Sequence, residues 1–578
     1  MIKVFLTVMI LGYSLVSAQL RTNIWELSGT RSANYRNKQN LTEVNFSNNF
    51  ADTSTVFRQM SFFITNSSIS DTVGNLLFYS NGQWIANRNH DSLQNCKEFN
   101  PGYSTDHYYD GGGLGFTQGL IIIPHPDSGF LYDLFYITTE KIHYHGNLYY
   151  YPFHLSHSII DMRLDSGLGA VTIKNEHLIE DTLVQGKLAA CKHANGRDWW
   201  IIDHKWNSNI FYTWLLTPSG IEGPFLQNIG SKVLNDFGFG QAVFSPDGNQ
   251  FTIQSNYDYF MDHFHFDRCS GLLSNWSRLY SQTDVNNFVG AAFSMNNRYL
   301  YRCSYFNVIQ YDTKMDNFFN NPDTVATWDG TYAPLDTWFF LSQLARDNRI
   351  YISTDGGDSV LTYIDQPDSA GVSCNVIQHG VILPYLNNHT VPYFPNYDLG
   401  LIGNYVADAG ANDTITKGQS VRLGIPPVSG VKYLWHSDST LSDTTVAQPI
   451  ASPDTTTTYY LTVTDTSTYS SCNVREDTVT VFVDIADAVY SPKPQNHGTF
   501  RVSPNPVSTW LNIIYQSNDD GVFELYNAFG YRAATMSLYH YFKNRMLAVS
   551  ALPNGIYGWR VMQRGERIAE GKVAVINR

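Results

Sequence analysis

The chain has 578 residues, of which 43% are hydrophobic, 15% aromatic and 15% charged. Disordered chains are poor in aromatic residues and rich in charge, so this composition excludes disorder along the whole chain. The net charge of −14 argues against nucleic-acid binding, which requires clustered basic residues. The 38 Tyr and 34 Phe favour β-strands, and the length predicts several domains.

The first 18 residues have the pattern of a secretory signal peptide. Lys3 precedes an apolar run from Val4 to Val16, and the small residues that follow predict cleavage between Ala18 and Gln19. The apolar run is shorter than the roughly 20 residues that a membrane-spanning helix needs. We therefore expect an exported chain without a transmembrane helix.

Residues 19–403 alternate short β-like segments with polar turns, and sustained helical periodicity is not apparent. The segments Trp199 to Asp203 and Ile210 to Leu216 flank a polar turn and predict a hairpin. A looser repeat of an apolar residue, a polar turn and a new strand occurs at residues 243–251, 292–300 and 344–350. Its spacing of roughly 50 residues is the period of four-stranded propeller blades. The sequence thus predicts a β-propeller of about seven blades, with six or eight left open.

Three stretches of this region, residues 67–90, 192–216 and 244–275, resemble the propeller-type N-terminal regions of large secreted Bacteroidetes proteins. Those regions belong to the broad WD-repeat-like and kelch-like group. The resemblance implies the fold but no particular activity, because propellers serve binding proteins and enzymes alike.

Residues 404–484 are dense in Thr, Ser and Asp and contain four alternating segments, at 420–423, 431–435, 458–464 and 477–483. Strands at this spacing predict an Ig-like sandwich, with Trp435 in its core. The region resembles the Ig-like or PKD-like modules that precede sorting domains in Bacteroidetes. Those modules pair a cysteine near Cys472 with one at the position of Thr416, so the resemblance implies that Cys472 is a free thiol here.

Residues 485–498 contain two prolines among polar residues and predict a linker, which leaves residues 499–578 as a small antiparallel sandwich. Its Pro504-Asn505-Pro506 turn, its strand beginning Gly555-Ile556-Tyr557 and its final basic and apolar strand closely resemble the type A sorting domain of the type IX secretion system. The resemblance implies that the type IX translocon carries the chain through the outer membrane. In many relatives the passenger is then joined to surface lipopolysaccharide.

The usual catalytic signatures are missing from the sequence, including HExxH, GxSxG, the Walker loop and GxGxxG before a helix. His143 with His145, and His263 with His265, are spaced to share one face of a strand, but neither pair has a third ligand in register. We therefore predict no catalytic, cofactor-binding or metal-binding residue.

Six cysteines are too few for a disulfide scaffold, and without a CxxC pair they predict neither a zinc ribbon nor a thioredoxin-type site. Cys269 and Cys303 lie in neighbouring predicted blades and are the candidate pair for an isolated disulfide. We expect His90, His193 and His204 to connect blades by hydrogen bonds rather than to act as acids or bases.

These features favour an all-β exported protein with a non-enzymatic, adhesion-type propeller that binds a glycan or a protein at the cell surface or after release. The alternative is an extracellular hydrolase or lyase that acts on a polysaccharide or peptide at the propeller channel. Converging Asp, Glu or His side chains at the channel mouth would favour the enzyme. A channel filled by packing residues would favour the binding protein.

Overall fold

The computed structural model describes residues 20–27, 37–108, 112–144, 147–234, 239–281, 288–402, 407–436, 439–465, 474–484, 499–528, 530–541 and 544–577. The regular secondary structure of this part is almost entirely β-strand, as the sequence predicts, apart from one short α-helix, α1 (Tyr103–Tyr108), and three short 3-10 helices. None of its helices is long and apolar enough to cross a membrane. The predicted cleavage site at Ala18 and Gln19, the linker and Cys472 lie outside the described residues.

Seven antiparallel sheets follow one another along residues 24–387, and each is one blade of a β-propeller. The first two blades have three strands each, β1 (Ile24–Leu27), β2 (Gln39–Asn45) and β3 (Asp52–Arg58), then β4 (Ser67–Ser70), β5 (Leu76–Ser80) and β6 (Ile85–Asn87). Blade 3 has β7 (Leu120–Pro124), β8 (Leu131–Tyr144), β9 (Asn147–Asp161) and β10 (Ala170–Glu180). Blade 4 has β11 (Ala189–Lys192), β12 (Trp199–His204), β13 (Ile210–Thr217) and β14 (Gly220–Asn228).

The remaining three blades also have four strands each. Blade 5 has β15 (Ala242–Phe244), β16 (Gln250–Ser255), β17 (Phe260–Asp267) and β18 (Leu272–Tyr280). Blade 6 has β19 (Gly290–Phe293), β20 (Tyr299–Cys303), β21 (Asn307–Asp312) and β22 (Asp323–Thr327). Blade 7 has β23 (Phe339–Leu344), β24 (Ile350–Thr354), β25 (Asp358–Ile364) and β26 (Val376–Asn387).

In blades 2 to 7 the first strand lies innermost, beside the channel, and β11, β15, β19 and β23 follow one another as neighbours there. These strands are buried on both faces, which explains their continuous apolar sequences. In outer strands such as β14 and β18, most residues are exposed and the less exposed ones recur at intervals. The predicted repeats at 243–251, 292–300 and 344–350 are the hairpins that join the first two strands of blades 5, 6 and 7. The predicted propeller of about seven blades is therefore confirmed.

Two buried glutamines connect the innermost strands at the face where those strands begin, which we call the entry face. The Gln118 side chain accepts a hydrogen bond from Ala242 N and donates to Ala242 O, at 2.7 and 2.6 Å. Gln241 accepts from Ala291 N and Ser342 N, at 3.0 and 2.9 Å, and donates to Ser342 O at 3.1 Å. The Gln118 amide therefore joins blade 3 to blade 5, and the Gln241 amide joins blade 5 to blades 6 and 7.

The ring is closed by residues 388–402, which we call the closing segment. Thr390 Oγ1 donates to Ile64 O, and Tyr393 N donates to Asn66 O, both at 2.9 Å, so the segment runs in the same direction as β4. In contrast, β1 runs antiparallel to β4, since Ser70 N donates to Arg21 O at 2.8 Å and Ser68 Oγ to Ile24 O at 2.8 Å. The closing segment thus takes the place of an innermost strand in blade 1.

Residues 413–484 contain two sheets. Four strands form a sheet in the order β27, β32, β31, β29, and two short strands, β28 and β30, pair separately. Their bounds are β27 (Asp413–Thr416), β28 (Val421–Arg422), β29 (Val431–Trp435), β30 (Ile450–Ala451), β31 (Thr457–Asp465) and β32 (Val474–Asp484). Trp435 is buried, as expected, and its indole N–H donates to Val446 O at 3.0 Å.

Residues 499–577 form a small sandwich in which a three-stranded and a four-stranded sheet share one apolar core. The strands are β33 (Thr499–Ser503), β34 (Trp510–Gln516), β35 (Gly521–Tyr526), β36 (Arg532–Leu538), β37 (Asn544–Ala548), β38 (Gly555–Gln563) and β39 (Glu566–Val575). The sheet orders are β33, β34, β37 and β36, β35, β38, β39.

We predict that Gln241→Ala lowers the free energy of unfolding of the propeller by about 3 kcal/mol, because it leaves buried main-chain groups of two blades without partners. The control is Gln378→Ala, which removes a half-buried side chain that donates to Thr327 O at 2.9 Å and accepts from Asp329 N at 3.3 Å, in bonds that lie at the surface. This control should cost less than about 1 kcal/mol. Equal shifts of the urea unfolding midpoint in the two variants would contradict a special role for Gln241.

Candidate functional site

The closing segment occupies the central channel. Thr390, Val391, Tyr393 and Phe394 are buried, and the Tyr393 carbonyl accepts a hydrogen bond from Ser67 Oγ at 3.1 Å. The ring of Phe394 lies 6.0 Å from that of Trp25 in blade 1. The channel is therefore filled by packing residues along the blade 1 and blade 2 side.

The segment leaves the channel at the opposite face, the exit face, where the innermost strands end. Its side chains reach blades 3 and 5, because Tyr397 OH donates to Ile122 O and Asn396 Nδ2 to Pro246 O, each at 2.7 Å. From blade 4, Lys192 Nζ donates a hydrogen bond to Tyr397 O at 2.8 Å. The segment is thus held at three blades as it leaves.

Arg268 holds the same part of the segment from blade 5. Its guanidinium donates to Gly400 O at 2.6 Å and to Lys192 O at 2.9 Å. Because Arg268 is only 3% exposed, these bonds form away from solvent, where hydrogen bonds are stronger. The guanidinium therefore fixes the closing segment to the first hairpin of blade 4.

A pocket of about 280 Å³ remains between the closing segment and the innermost strands of blades 4 to 7, at the exit end of the channel. Its walls are mostly apolar, and they include Ala190, Val243, Ala291, Phe293, Leu344 and Phe394. A concave apolar site with few polar groups is the usual form of a ligand-binding pocket. The pocket is the candidate functional site.

The polar groups of this pocket do not form an acid–base pair. Burial raises the pKa of the Cys191 thiol to about 12, so it is protonated and a poor nucleophile at neutral pH. The guanidinium of Arg346 is hydrogen-bonded to blade 1, because it donates to Asn23 Oδ1 and to Phe46 O, both at 3.3 Å. No described lining residue is His or Glu, and the single lining carboxylate, Asp398, is exposed. This lining suits binding of an apolar group.

The entry face carries a different set of groups. His389 Nδ1 lies 2.8 Å from an Asp355 carboxylate oxygen, and the His389 ring packs at 5.3 Å from the rings of Phe63 and Phe340. Burial and the adjacent Asp355 carboxylate raise the pKa of Tyr305. Its ring stacks on Trp338 at 5.4 Å. This mouth of the channel therefore combines aromatic rings with one His–Asp pair.

The predicted disulfide between Cys269 and Cys303 is wrong. Cys303 is a free thiol, fully buried in β20, whereas Cys269 takes part in a disulfide. Cys96, Cys191 and Cys374 are also free, so none of these three is its partner. Neighbouring blades do not by themselves bring two cysteines within bonding distance, because a disulfide requires Cα atoms closer than about 7 Å.

Four of the histidines that the sequence analysis named have side chains that contact other protein groups within the propeller. His193 Nε2 lies 3.1 Å from Cys269 O and thereby joins blades 4 and 5, as expected. His90 Nδ1 lies 3.0 Å from Tyr79 OH in its own blade and 3.9 Å from a Glu26 carboxylate oxygen in blade 1, whereas His204 Nδ1 lies 2.8 Å from Lys205 O. Burial lowers the pKa of His263 to about 4, and its Nε2 lies 3.0 Å from Gln250 Oε1. The side chains of His143 and His145 are not among those described.

The motifs of the C-terminal sandwich come together at its last strand. Asn505, in the Pro504-Asn505-Pro506 turn, accepts a hydrogen bond from Ala574 N at 2.8 Å. The strand that begins Gly555-Ile556-Tyr557 is β38, whose Gly555 pairs with Val575 and whose Tyr557 is buried. The channel pocket was not predictable from any motif, although the aromatic and proline-rich segment after β26 lines it.

No protein-family model and no curated protein matches the chain. Among solved structures, it is similar to a proposed 6-phosphogluconolactonase of Bacteroides fragilis (10% identity, TM-score 0.34), which covers 65% of this chain and 98% of that one. It is also similar to a periplasmic gluconolactonase of Pseudomonas aeruginosa (10% identity, TM-score 0.34; 64% and 97% covered). A third is the Cps50 (Swd1) β-propeller domain from Myceliophteria thermophila (8% identity, TM-score 0.31; 55% and 87% covered).

Proposed function

We propose that the chain is an exported, non-enzymatic binding protein whose propeller holds an apolar group of its ligand in the pocket at the exit end of the channel. The observation that carries the proposal is the closing segment, which fills one side of the channel and leaves an apolar pocket of about 280 Å³ beside blades 4 to 7. That volume accommodates a small apolar molecule or one large side chain of a protein ligand.

The charges around the pocket support binding rather than catalysis. Burial lowers the pKa of Lys192, but its ammonium donates to the Tyr397 carbonyl and holds the closing segment. The guanidinium of Arg268 donates to main-chain carbonyls in the same way. Lys192 and Arg268 thus hold the closing segment, which forms one wall of the pocket. A pocket whose wall is held in place keeps its shape, and this favours selective binding.

The C-terminal sandwich supports delivery by the type IX secretion system as part of the same proposal. Asn505 fixes the Pro504-Asn505-Pro506 turn to the final strand, so the motif and the strand that resemble a sorting domain form one surface. In the proposal, the translocon recognises this sandwich. The propeller is then either joined to lipopolysaccharide at the cell surface or released.

A hydrolase or lyase remains the second candidate because of the pair formed by His389 and Asp355 at the entry mouth. A carboxylate within 3 Å of an imidazole nitrogen is one element of acid–base catalysis. His389→Gln should then abolish any hydrolysis of polysaccharide or peptide substrates by the purified protein. If the wild-type protein has no such activity, the binding function stands alone.

We predict that Met295→Asp weakens binding of an apolar fluorescent dye to the native protein by about tenfold, because it places a charge in the apolar wall. Met295 lines the pocket and is 44% exposed, so the substitution should be tolerated. Met315→Asp is the matched control, since Met315 is 47% exposed in the same blade but does not line the pocket.

A titration of dye fluorescence against both variants measures this effect. Equal affinities of the two variants would place the binding site elsewhere. The same pair of variants, applied to glycan and peptide arrays, would then identify which ligand class depends on the pocket.

We predict that deletion of residues 499–578 leaves the remaining chain in the periplasm of the producing cell, because the proposed sorting domain is removed. Deletion of residues 407–484 is the control and should not stop export. Immunoblots of the medium, the cell surface and the periplasm report the distribution. A chain that lacks residues 499–578 and still reaches the medium would contradict the sorting assignment.

A further inference from the structure

The turn between β24 and β25 in blade 7, Asp355-Gly356-Gly357-Asp358, contains a buried carboxylate with an unsatisfied oxygen. Asp358 has no solvent exposure, and its Oδ1 accepts a hydrogen bond from Leu335 N at 2.9 Å. Its Oδ2 is buried and has no hydrogen-bond partner. Among the described residues, no basic side chain forms an ion pair with Asp358. A buried charge of this kind is costly unless something compensates it.

A second unpartnered oxygen lies on the neighbouring strand. Asn387 is directly opposite Asp358 in the pairing of β25 with β26, and it is 1% exposed. Its amide nitrogen donates to Thr390 O at 2.7 Å, which fixes the orientation of the amide. Its Oδ1 is therefore directed away from that bond, and it too is buried without a partner. Side chains opposite each other in an antiparallel pair stand close together on one face of the sheet.

The two glycines of the turn leave space beside these oxygens. A Cβ atom at Gly356 would lie 3.6 Å from both Asp358 Oδ2 and the main-chain oxygen of Asp336. A Cβ atom at Gly357 would lie 3.7 Å from Asn388 Oδ1. A carboxylate oxygen and a main-chain oxygen thus border the space beside Gly356, and an amide oxygen borders the space beside Gly357.

We propose that this turn binds a hard divalent cation of the calcium class, with Asp358 Oδ2 and Asn387 Oδ1 as ligands. An all-oxygen set that mixes one carboxylate with neutral carbonyl and amide oxygens is typical of calcium. A site with a single carboxylate has low ligand charge, so its affinity belongs to the weak range of about 10⁻⁴ to 10⁻³ M that extracellular modules use.

No group of three or more His, Cys, Asp or Glu side chains is arranged to hold a metal in the described chain. The proposed site does not conflict with that finding, because it contains a single carboxylate and an amide oxygen. The cation would compensate the Asp358 charge and connect β25 to β26 next to the start of the closing segment. The proposal is independent of the exit-face pocket and of the function proposed for it.

Thermal unfolding of the full chain in millimolar Ca²⁺ and in a chelator tests the proposal. We expect Ca²⁺ to raise the melting temperature of the wild-type protein by a few degrees, since a ligand that binds only the folded state stabilises it. Asp358→Asn should abolish this shift. Asp347→Asn is the matched control, because Asp347 is also a buried carboxylate of blade 7, paired with Arg349 at 3.2 Å, and it should keep the shift.

Asn387→Asp provides a second variant, for the case that Asp358→Asn does not fold. The added carboxylate should destabilise the protein in chelator and increase its affinity for Ca²⁺, as equilibrium dialysis with radioactive calcium measures. If neither the wild-type protein nor Asn387→Asp binds Ca²⁺ or shifts its melting temperature, a water that donates to both oxygens occupies the space. That outcome would overturn the proposal.

Discussion

The propeller depends on one contact between its two ends, the placement of the closing segment against β4. Thr390 bonds to Ile64 across 326 residues of sequence, and Tyr393 bonds to Asn66 beside it. These bonds supply blade 1 with the inner element that β1 to β3 do not provide, and they bring Phe394 against Trp25 in the core. Without them, the apolar faces of blades 1 and 2 would be open to water at the channel.

The pocket follows from the irregular form of this closure. The closing segment contains Pro392 and Pro395, which lack the N–H needed to continue a hydrogen-bonded ladder. The segment is therefore held mainly by side chains such as Tyr397 and Asn396. Because the first part of the segment packs along the blade 1 and blade 2 side of the channel, part of the inner walls of blades 4 to 7 lines an open pocket.

The sequence carried the local features of the fold but not the contacts between distant parts. Hairpins such as 243–251 were predictable because an apolar pair, a polar turn and a strand are adjacent in the chain. The closing segment has no such period, and its role depends on the position of β4 more than 300 residues earlier. The wrong pairing of Cys269 with Cys303 has the same origin. The pairing of Asp358 with Asn387 could not be predicted from the sequence either. It depends on the register of β25 and β26, which is shifted by bulges that residue spacing does not indicate.

The length of the chain between β4 and the closing segment determines when the ring can form. The part of the closure entropy that grows with loop length is about 5 kcal/mol for a loop of 326 residues. Hairpins within single blades form early, because their contacts are local, but the ring closes only after residue 402 has left the ribosome. A nascent chain therefore carries the sheets of all seven blades with an open side until the closing segment has been synthesised. If the chain is exported as we propose, late closure keeps it in an open form that can still be threaded through a pore.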